Sequence, residues 1–160
     1  SLFRDELAVF DYSNNIRGVE FLSILKNIYA IIIGIVDAYY NSPNVRFLVF
    51  TKSLNEIKKI IESLAVPFDT LFNYAGIGDF GLTALNDLSR NRTLGLLIGK
   101  GFFGKNPGNP VVLEGVKAID HFIKMFDKQQ LSELKYIILL QDLFNNKINV
   151  KDFVNTVIYT

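Results

Sequence analysis

The stretch FLSILKNIYAIIIGIVDAYY, residues 21–40, decides the fold class, because it suits either a membrane span or a central core helix. A membrane helix needs roughly 20 predominantly apolar residues, and this stretch supplies them. Lys26, Asn27 and Asp37 lie inside it, however, and each of these side chains is unfavourable in lipid. Since the chain contains no second comparable segment, we predict a buried helix surrounded by other helices and no membrane span.

The sequence beyond residue 40 continues the helical pattern in shorter segments. Ser42-Pro43 interrupts the first helix, and apolar side chains then recur at helical spacing over residues 45–64. Three amphipathic segments follow later, VVLEGVKAIDHFIKMF, SELKYIILLQDLFNN and VKDFVNTVIYT, with Ser132 and Asn149 as expected caps of the last two. We predict an all-α, multi-helix domain of about six to eight helices, with a short extended lead-in at residues 1–14 and a loop at 103–110.

The segment YAGIGDFGLTALNDLSRNR, residues 74–92, differs from ordinary core sequence. It combines glycines, a carboxylate and two arginines between apolar flanks. We predict a turn at GIGDFG, and a further helix capped by the Asn-Asp pair at 86–87. The glycine spacing is not that of the GxGxxG dinucleotide fingerprint, and no strand–turn–helix unit surrounds it, so the chain shows no nucleotide-binding fold of its own.

The composition narrows the function classes. The chain has 160 residues, 49% of them hydrophobic and 21% charged, which is typical of a globular domain. A net charge of +1 gives no electrostatic support for nucleic-acid binding. The absence of Cys and of an apolar leader fits a reducing compartment, so we expect a cytoplasmic protein. With His121 as the only histidine, a Ser-His-Asp triad and a multi-histidine metal site are both disfavoured, and no metal is expected.

Lys26 has two interpretations. A stripe of small and polar side chains runs beside it on the predicted helix, with members three or four residues apart: Ser23, Asn27, Ala30, Gly34 and Asp37. In the first interpretation a neighbouring helix packs there, and Lys26 extends to solvent or pairs with a carboxylate. In the second, Lys26 is a desolvated lysine that donates and accepts a proton.

Asp79 and the Ser89–Arg92 tetrapeptide are the other candidates. Asp79 is either a solvated turn residue or the acceptor that orients the Lys26 ammonium group. The two arginines of the tetrapeptide lie at a predicted helix start, where the helix dipole does not favour positive charge. They either bind an anion together with free N–H groups, or are neutralised by Asp87 or other carboxylates. Glu114 is a weaker candidate at an apolar helix start.

These motifs, taken in order, resemble the C-terminal domain of the bacterial-type NAD(P)-dependent glycerol-3-phosphate dehydrogenases. The family pattern is G-V-E, L-K-N, A-G-x-G-D-L-x-L-T, S-R-N-R and V-x-E-G. The chain matches it within residues 18–38, 74–101 and 112–116, and the spacings from Lys26 to Asp79 and from Asp79 to Ser89 agree without a gap. Phe80 replaces the usual leucine of the third motif.

The resemblance implies a helical domain of the 6-phosphogluconate-dehydrogenase-like type over residues 15–160, joined through residues 1–14 to an N-terminal Rossmann domain. It implies interconversion of dihydroxyacetone phosphate and sn-glycerol 3-phosphate with NAD or NADP, for glycerophospholipid precursors. Lys26 corresponds to the proton donor and acceptor. The positions that correspond to substrate-binding residues are Lys26, Asp79, Ser89, Arg90 and Asn91, and those that correspond to cofactor-binding residues are Arg90, Val112 and Glu114.

Two other functions stay open at the sequence level. One is the C-terminal domain of another Rossmann-type dehydrogenase that acts on a different hydroxy acid or sugar acid. The other is a non-catalytic helical dimerisation or interaction domain, in which Lys26 and Asp79 form only a structural ion pair. A homodimer is compatible with each of these interpretations. Under the family interpretation, the chain alone is expected to be inactive, because half of the site lies in the other domain.

Overall fold

The computed structural model describes residues 12–102 and 110–160, and every regular element within these ranges is a helix. The α-helices are α1 (Ile16–Tyr40), α2 (Pro43–Ser63), α3 (Asp79–Leu85), α4 (Arg90–Gly99), α5 (Pro110–Ile123), α6 (Lys128–Leu131), α7 (Lys135–Phe144) and α8 (Val150–Tyr159). A 3-10 helix (Phe68–Phe72) and a π-helical turn (Tyr74–Gly78) connect α2 to α3. The all-α prediction is confirmed for this part of the chain. Residues 1–11 of the predicted lead-in and 103–109 of the predicted loop lie outside it.

α1 is the central helix that the opening stretch predicts. Its N-cap is Asn15, whose side chain accepts the Gly18 N–H at 2.9 Å, and it ends at Asn41 in a left-handed conformation with φ 42°. By length and hydropathy α1 could cross a membrane, yet 67% of its most apolar window is buried inside the fold. α1 contacts α2, α3, α4, α7 and α8, so packing inside the domain accounts for its apolar character.

Two glycines let α4 lie directly against α1. A Cβ atom on Gly95 would lie 2.1 Å from the carbonyl oxygen of Ile31, and one on Gly34 would lie 2.3 Å from the carbonyl oxygen of Arg92. No side chain fits at such distances, so the close approach requires glycine on both helices. The stripe of small residues beside Lys26 is therefore partly a packing surface for α4, as the first interpretation of that stripe predicted.

The predicted helix caps were right at α8 and wrong at α7. Asn149 accepts the Asp152 N–H at 2.9 Å and caps α8. Ser132 instead follows the end of α6, and α7 begins at Lys135 without a side-chain cap from its own segment. The reason is a distant acceptor, Glu56 of α2, which takes the place of a local cap.

Glu56 holds the start of α7 against α2. Its carboxylate accepts the N–H groups of Tyr136 at 3.0 Å and Ile137 at 3.4 Å, and the hydroxyl of Tyr29 at 2.8 Å. A carboxylate at a helix start satisfies N–H groups that have no intrahelical acceptor. Burial nevertheless raises the pKa of Glu56 from its ordinary value of 4.5, because loss of hydration outweighs these hydrogen bonds.

The raised pKa of Glu56 predicts a pH-dependent stability. Its contribution is fully present below the ordinary glutamate pKa and is lost as pH rises through the folded value. The free energy of unfolding of the wild type minus that of Glu56→Gln should therefore decrease from pH 4 towards neutral pH in urea titrations. Glu133→Gln is the control, because Lys59 lowers the pKa of Glu133, and its difference should rise weakly with pH. Equal slopes for the two variants would contradict this account.

Candidate active site

Lys26 and Asp79 form an ion pair between α1 and α3. The Lys26 Nζ donates a hydrogen bond to the Asp79 Oδ2. The two side chains are 19% and 34% exposed, so the pair is partly shielded from water and still reachable from solvent. Both interpretations of Lys26 allowed a carboxylate partner, and the structure supplies Asp79. The pair joins residues that are distant in sequence, and it holds the ammonium group in one place.

Asp79 does not lie in a glycine turn, contrary to the prediction. The π-helical turn Tyr74–Gly78 runs directly into α3, and Asp79 is the first residue of that helix. Gly76 allows this turn to pack against the preceding 3-10 helix, since a Cβ atom there would lie 2.2 Å from the carbonyl oxygen of Leu71. Asp79 therefore lies inside a helical segment, where the π-helical turn meets α3, and its own N–H bonds back to the carbonyl oxygens of Tyr74 and Gly76.

The prediction that a helix begins at the Ser-Arg-Asn-Arg motif is confirmed, but its N-cap is Ser89 rather than the Asn-Asp pair at 86–87. The Ser89 Oγ accepts the Arg92 N–H at 3.3 Å. The N–H groups of Arg90 and Asn91 have no acceptor within the part of the chain that the structure describes. These two groups form a start of α4 that can bind an anion.

Asn91 connects this helix start to the residue next to Lys26. The Asn91 Nδ2 donates to the Asn27 Oδ1 at 2.7 Å, and the Asn27 Nδ2 donates to the carbonyl oxygen of Ser23 at 3.0 Å. Because the amide nitrogen of Asn91 is engaged in this way, its oxygen remains to accept a hydrogen bond from a ligand. Consecutive residues of α1 thus contact both α3 and α4, which brings three of the predicted site residues together.

The two arginines of the motif have different environments. Arg90 is exposed, and no ion pair involves it among residues 12–102 and 110–160. Arg92 is buried, and its guanidinium group pairs with both Asp37 and Asp87. Residues two apart on an α-helix are about 200° apart around its axis and so lie on nearly opposite sides. The two arginines therefore cannot face one ligand. Shared anion binding is therefore wrong for Arg92, and neutralisation by carboxylates is what the structure shows.

Two cavities adjoin these residues. One of about 480 Å³ is lined by Asp79 and by the exposed side chains of Ile16 and Tyr74. Another of about 250 Å³ is lined by the start of α4, together with the exposed side chains of Leu82 and Leu88. Exposed apolar side chains around a cavity are typical of a surface that contacts a ligand or another domain.

The remaining candidates are less informative. Val112 and Glu114 fall on the backbone of α5, but their side chains lie outside the described residues. His121 is exposed on the same helix. Within the described ranges, no group of three His, Cys, Asp or Glu side chains is placed to hold a metal ion.

This helical fold is found as one part of a longer dehydrogenase chain. The chain superposes on a crystal structure of glycerol-3-phosphate dehydrogenase from Coxiella burnetii with a TM-score of 0.73, at 22% sequence identity, over 92% of this chain and 46% of that one. The family model for the C-terminus of NAD-dependent glycerol-3-phosphate dehydrogenase matches residues 15–155. The chain belongs to this family, which confirms the resemblance and does not favour the two alternative functions.

Individual relatives agree with the family model. A glycerol-3-phosphate dehydrogenase (NAD(P)+) of Methanothermobacter thermautotrophicus is 30% identical over 95% of this chain and 47% of its own length. The enzyme of the same name from Clostridium tetani is 37% identical over 76% of this chain and 36% of its own length. The chain thus spans about half the length, or less, of the curated relatives that it matches.

Proposed function

We propose that this chain is the substrate-binding and catalytic half of an enzyme that interconverts dihydroxyacetone phosphate and sn-glycerol 3-phosphate with NAD(P)H. The observation that carries the proposal is the placement of Lys26, paired with Asp79, directly beside the Asn27–Asn91 contact. The cationic proton donor and its orienting carboxylate then lie next to Asn27, the residue of α1 that contacts the anion-binding helix start. This is the set of groups that reduction of a phosphorylated ketone requires.

Lys26 acts on the C2 oxygen of the substrate. In the reducing direction, its ammonium group donates a proton to the oxygen as negative charge develops there, and in the oxidising direction the neutral amine removes that proton. A positive charge beside this oxygen also stabilises the developing alkoxide. Asp79 keeps the ammonium group oriented through their hydrogen bond. Bound NAD(P)H supplies the hydride that reaches C2.

The start of α4 binds the phosphate end of the substrate or bridges it to the cofactor. The exposed Arg90 guanidinium group and the backbone N–H groups beside it suit a phosphate oxygen. Ser89 fixes the helix start, and the Asn91 amide oxygen accepts a hydrogen bond from a substrate hydroxyl group. By resemblance, Val112 and Glu114 join Arg90 in holding NAD or NADP. Binding of the remote phosphate then aligns C2 with Lys26.

The complementary half is an N-terminal Rossmann domain that residues 1–14 join to this one. Support comes from the relatives, which are about twice as long as the matched region. It also comes from the exposed Ile16, Tyr74, Leu82 and Leu88, which surround the two cavities and provide an apolar contact surface. We place the assembled enzyme in the cytoplasm, and a homodimer is compatible with this proposal.

The reaction is tested with the intact parent protein. We expect dihydroxyacetone phosphate to drive oxidation of NADH or NADPH, with formation of sn-glycerol 3-phosphate. Unphosphorylated dihydroxyacetone and 2-oxo acids serve as comparison substrates, and they should react far more slowly because the contacts at α4 are lost. Faster turnover of a 2-oxo acid than of the phosphorylated ketone would reject the proposed substrate.

Replacing Arg90 with alanine should weaken substrate binding far more than folding. Removing a charged hydrogen-bond donor from a phosphate contact typically loses about 10- to 100-fold in affinity. We therefore expect an increase of that order in KM for dihydroxyacetone phosphate, with an unchanged melting temperature because Arg90 is exposed. The control is Lys151→Ala, which removes an exposed cation on a different helix, α8. Unchanged kinetic constants in the Arg90 variant would remove this residue from the site.

A further inference from the structure

Arg92 lies two residues beyond Arg90, but it does not contact either cavity beside the site. Its side chain is 3% exposed and extends between a carboxylate of α1 and one in the segment before α4. The Nη2 donates to the Asp37 Oδ2, and the Nη1 donates to the Asp87 Oδ1. Its backbone N–H donates to the Ser89 Oγ at 3.3 Å. Arg92 therefore holds the helix start from two directions.

The need to neutralise the charge of Asp37 does not by itself explain the buried position of Arg92. Asp37 is 5% exposed, and it already pairs with Arg46, whose Nη2 lies 2.8 Å from the Asp37 Oδ2 and whose Nε lies 3.0 Å from the Oδ1. A buried carboxylate with this bidentate partner is neutralised without a second arginine. What only Arg92 adds is the connection to Asp87 in the segment before α4.

The burial of Arg92 indicates a geometric rather than a stabilising role. Its Nε has no hydrogen-bond partner among the described residues, so the side chain is not optimally satisfied where it lies. Buried ion pairs contribute little net stability compared with apolar residues of similar volume, because desolvation offsets the attraction. They do fix one arrangement of the groups that they join. Here the joined groups are α1, which carries Lys26, and the segment that leads into Ser89.

We propose that Arg92 is a positioning residue for the substrate site. Through Asp87 and the Ser89 cap, it fixes the place of Arg90 and Asn91 relative to Lys26. This inference rests on the proposed function of these three residues. Arg92 itself touches neither the substrate nor the cofactor. Its loss moves the phosphate-binding start of α4.

The test uses three variants of the intact parent protein. Asp87→Asn weakens the connection at its exposed end, since the Asp87 side chain is 88% exposed and the variant should fold normally. Arg92→Lys keeps the charge but cannot reach both carboxylates at once. Arg46→Met is the matched control, because it removes the other partner of Asp37 and leaves the connection to Asp87 intact. For each variant, KM for dihydroxyacetone phosphate, kcat and the melting temperature are measured.

We expect KM to rise about 3- to 10-fold in Asp87→Asn and about 10-fold or more in Arg92→Lys, since small displacements of positioning groups have large kinetic effects. Arg46→Met should lower the melting temperature and leave KM within about twofold of the wild type. A purely structural cluster would instead make KM follow the melting temperature in all three variants. That result, or an unchanged KM in Arg92→Lys, would overturn the proposal.

A second readout separates this inference from the proposed function. If the wild-type protein does not reduce dihydroxyacetone phosphate, the proposed function fails, and the positioning role is then decided by amide hydrogen exchange. The Thr93 N–H bonds to the Ser89 carbonyl oxygen at 2.9 Å in the first turn of α4. Its exchange should accelerate about tenfold or more in Arg92→Lys and should not accelerate in Arg46→Met. Equal exchange rates in these two variants would reject a positioning role.

Discussion

Lys26→Met in the intact parent protein should lower kcat for reduction of dihydroxyacetone phosphate by about 10²- to 10⁴-fold, which is the usual contribution of a positioned acid–base group. Methionine keeps much of the side-chain length and apolar contact and removes only the proton and the charge. The measurement is steady-state kinetics beside circular dichroism. An intact fold with collapsed turnover would assign the proton transfer to Lys26.

The competing explanation is that Lys26 and Asp79 form only a structural ion pair. Lys59→Met is the matched control, because it removes an ion pair between α2 and Glu133 that lies outside the site. We expect this control to retain nearly full activity and to change stability little, because both partners of the pair are exposed. If both lysine variants lost activity in proportion to their stability, Lys26 would have no role in the chemistry.

Gly95→Ala should strongly destabilise the protein. The added Cβ would lie 2.1 Å from the Ile31 carbonyl oxygen and 2.9 Å from the Gly34 Cα, so α1 and α4 must separate. Forcing excess volume into such a contact costs about 3 kcal/mol or more. Urea titration of the protein measures the loss. Since α4 carries Arg90 and Asn91, substrate affinity should fall as well.

Gly81→Ala provides the control for that change. Gly81 is on α3, and a Cβ atom there would meet only the Phe50 ring edge, at 4.0 Å. Alanine is favoured over glycine inside a helix, so this variant should be about 0.5–1 kcal/mol more stable than the wild type. The same substitution then has opposite signs at two helical sites. A loss of stability at Gly95 no larger than the change at Gly81 would mean that the α1–α4 contact is looser than described.

Much of the fold was predictable because helical periodicity is a local property of the sequence. The charged residues inside residues 21–40 favour a core helix over a membrane span, and the burial of α1 agrees with that prediction. The start of α7 was not predictable in this way. Its cap, Glu56, comes from α2, and no pattern within the segment around Ser132 contains that information.

The candidate site was likewise predictable only where local sequence determines it. Motif order brought Lys26, Asp79 and the start of α4 into one hypothesis. The structure pairs Lys26 with Asp79, and it pairs Asn91 with Asn27, the residue that follows Lys26. The separate environments of Arg90 and Arg92 depend on long-range partners, above all Asp37, which lies on another helix. Helical geometry alone could have shown that the two arginines diverge. It could not have shown which one is buried.

The most direct test of the account is a structure of the parent protein with sn-glycerol 3-phosphate and the oxidised dinucleotide bound. The account predicts the substrate C2 oxygen about 3 Å from the Lys26 Nζ, with the phosphate or the cofactor at the Arg90 guanidinium group and the N–H groups at the start of α4. A substrate bound far from Lys26, with the Lys26–Asp79 pair unchanged, would contradict the account. The pair would then be structural, and the reaction would have to be sought elsewhere on the protein.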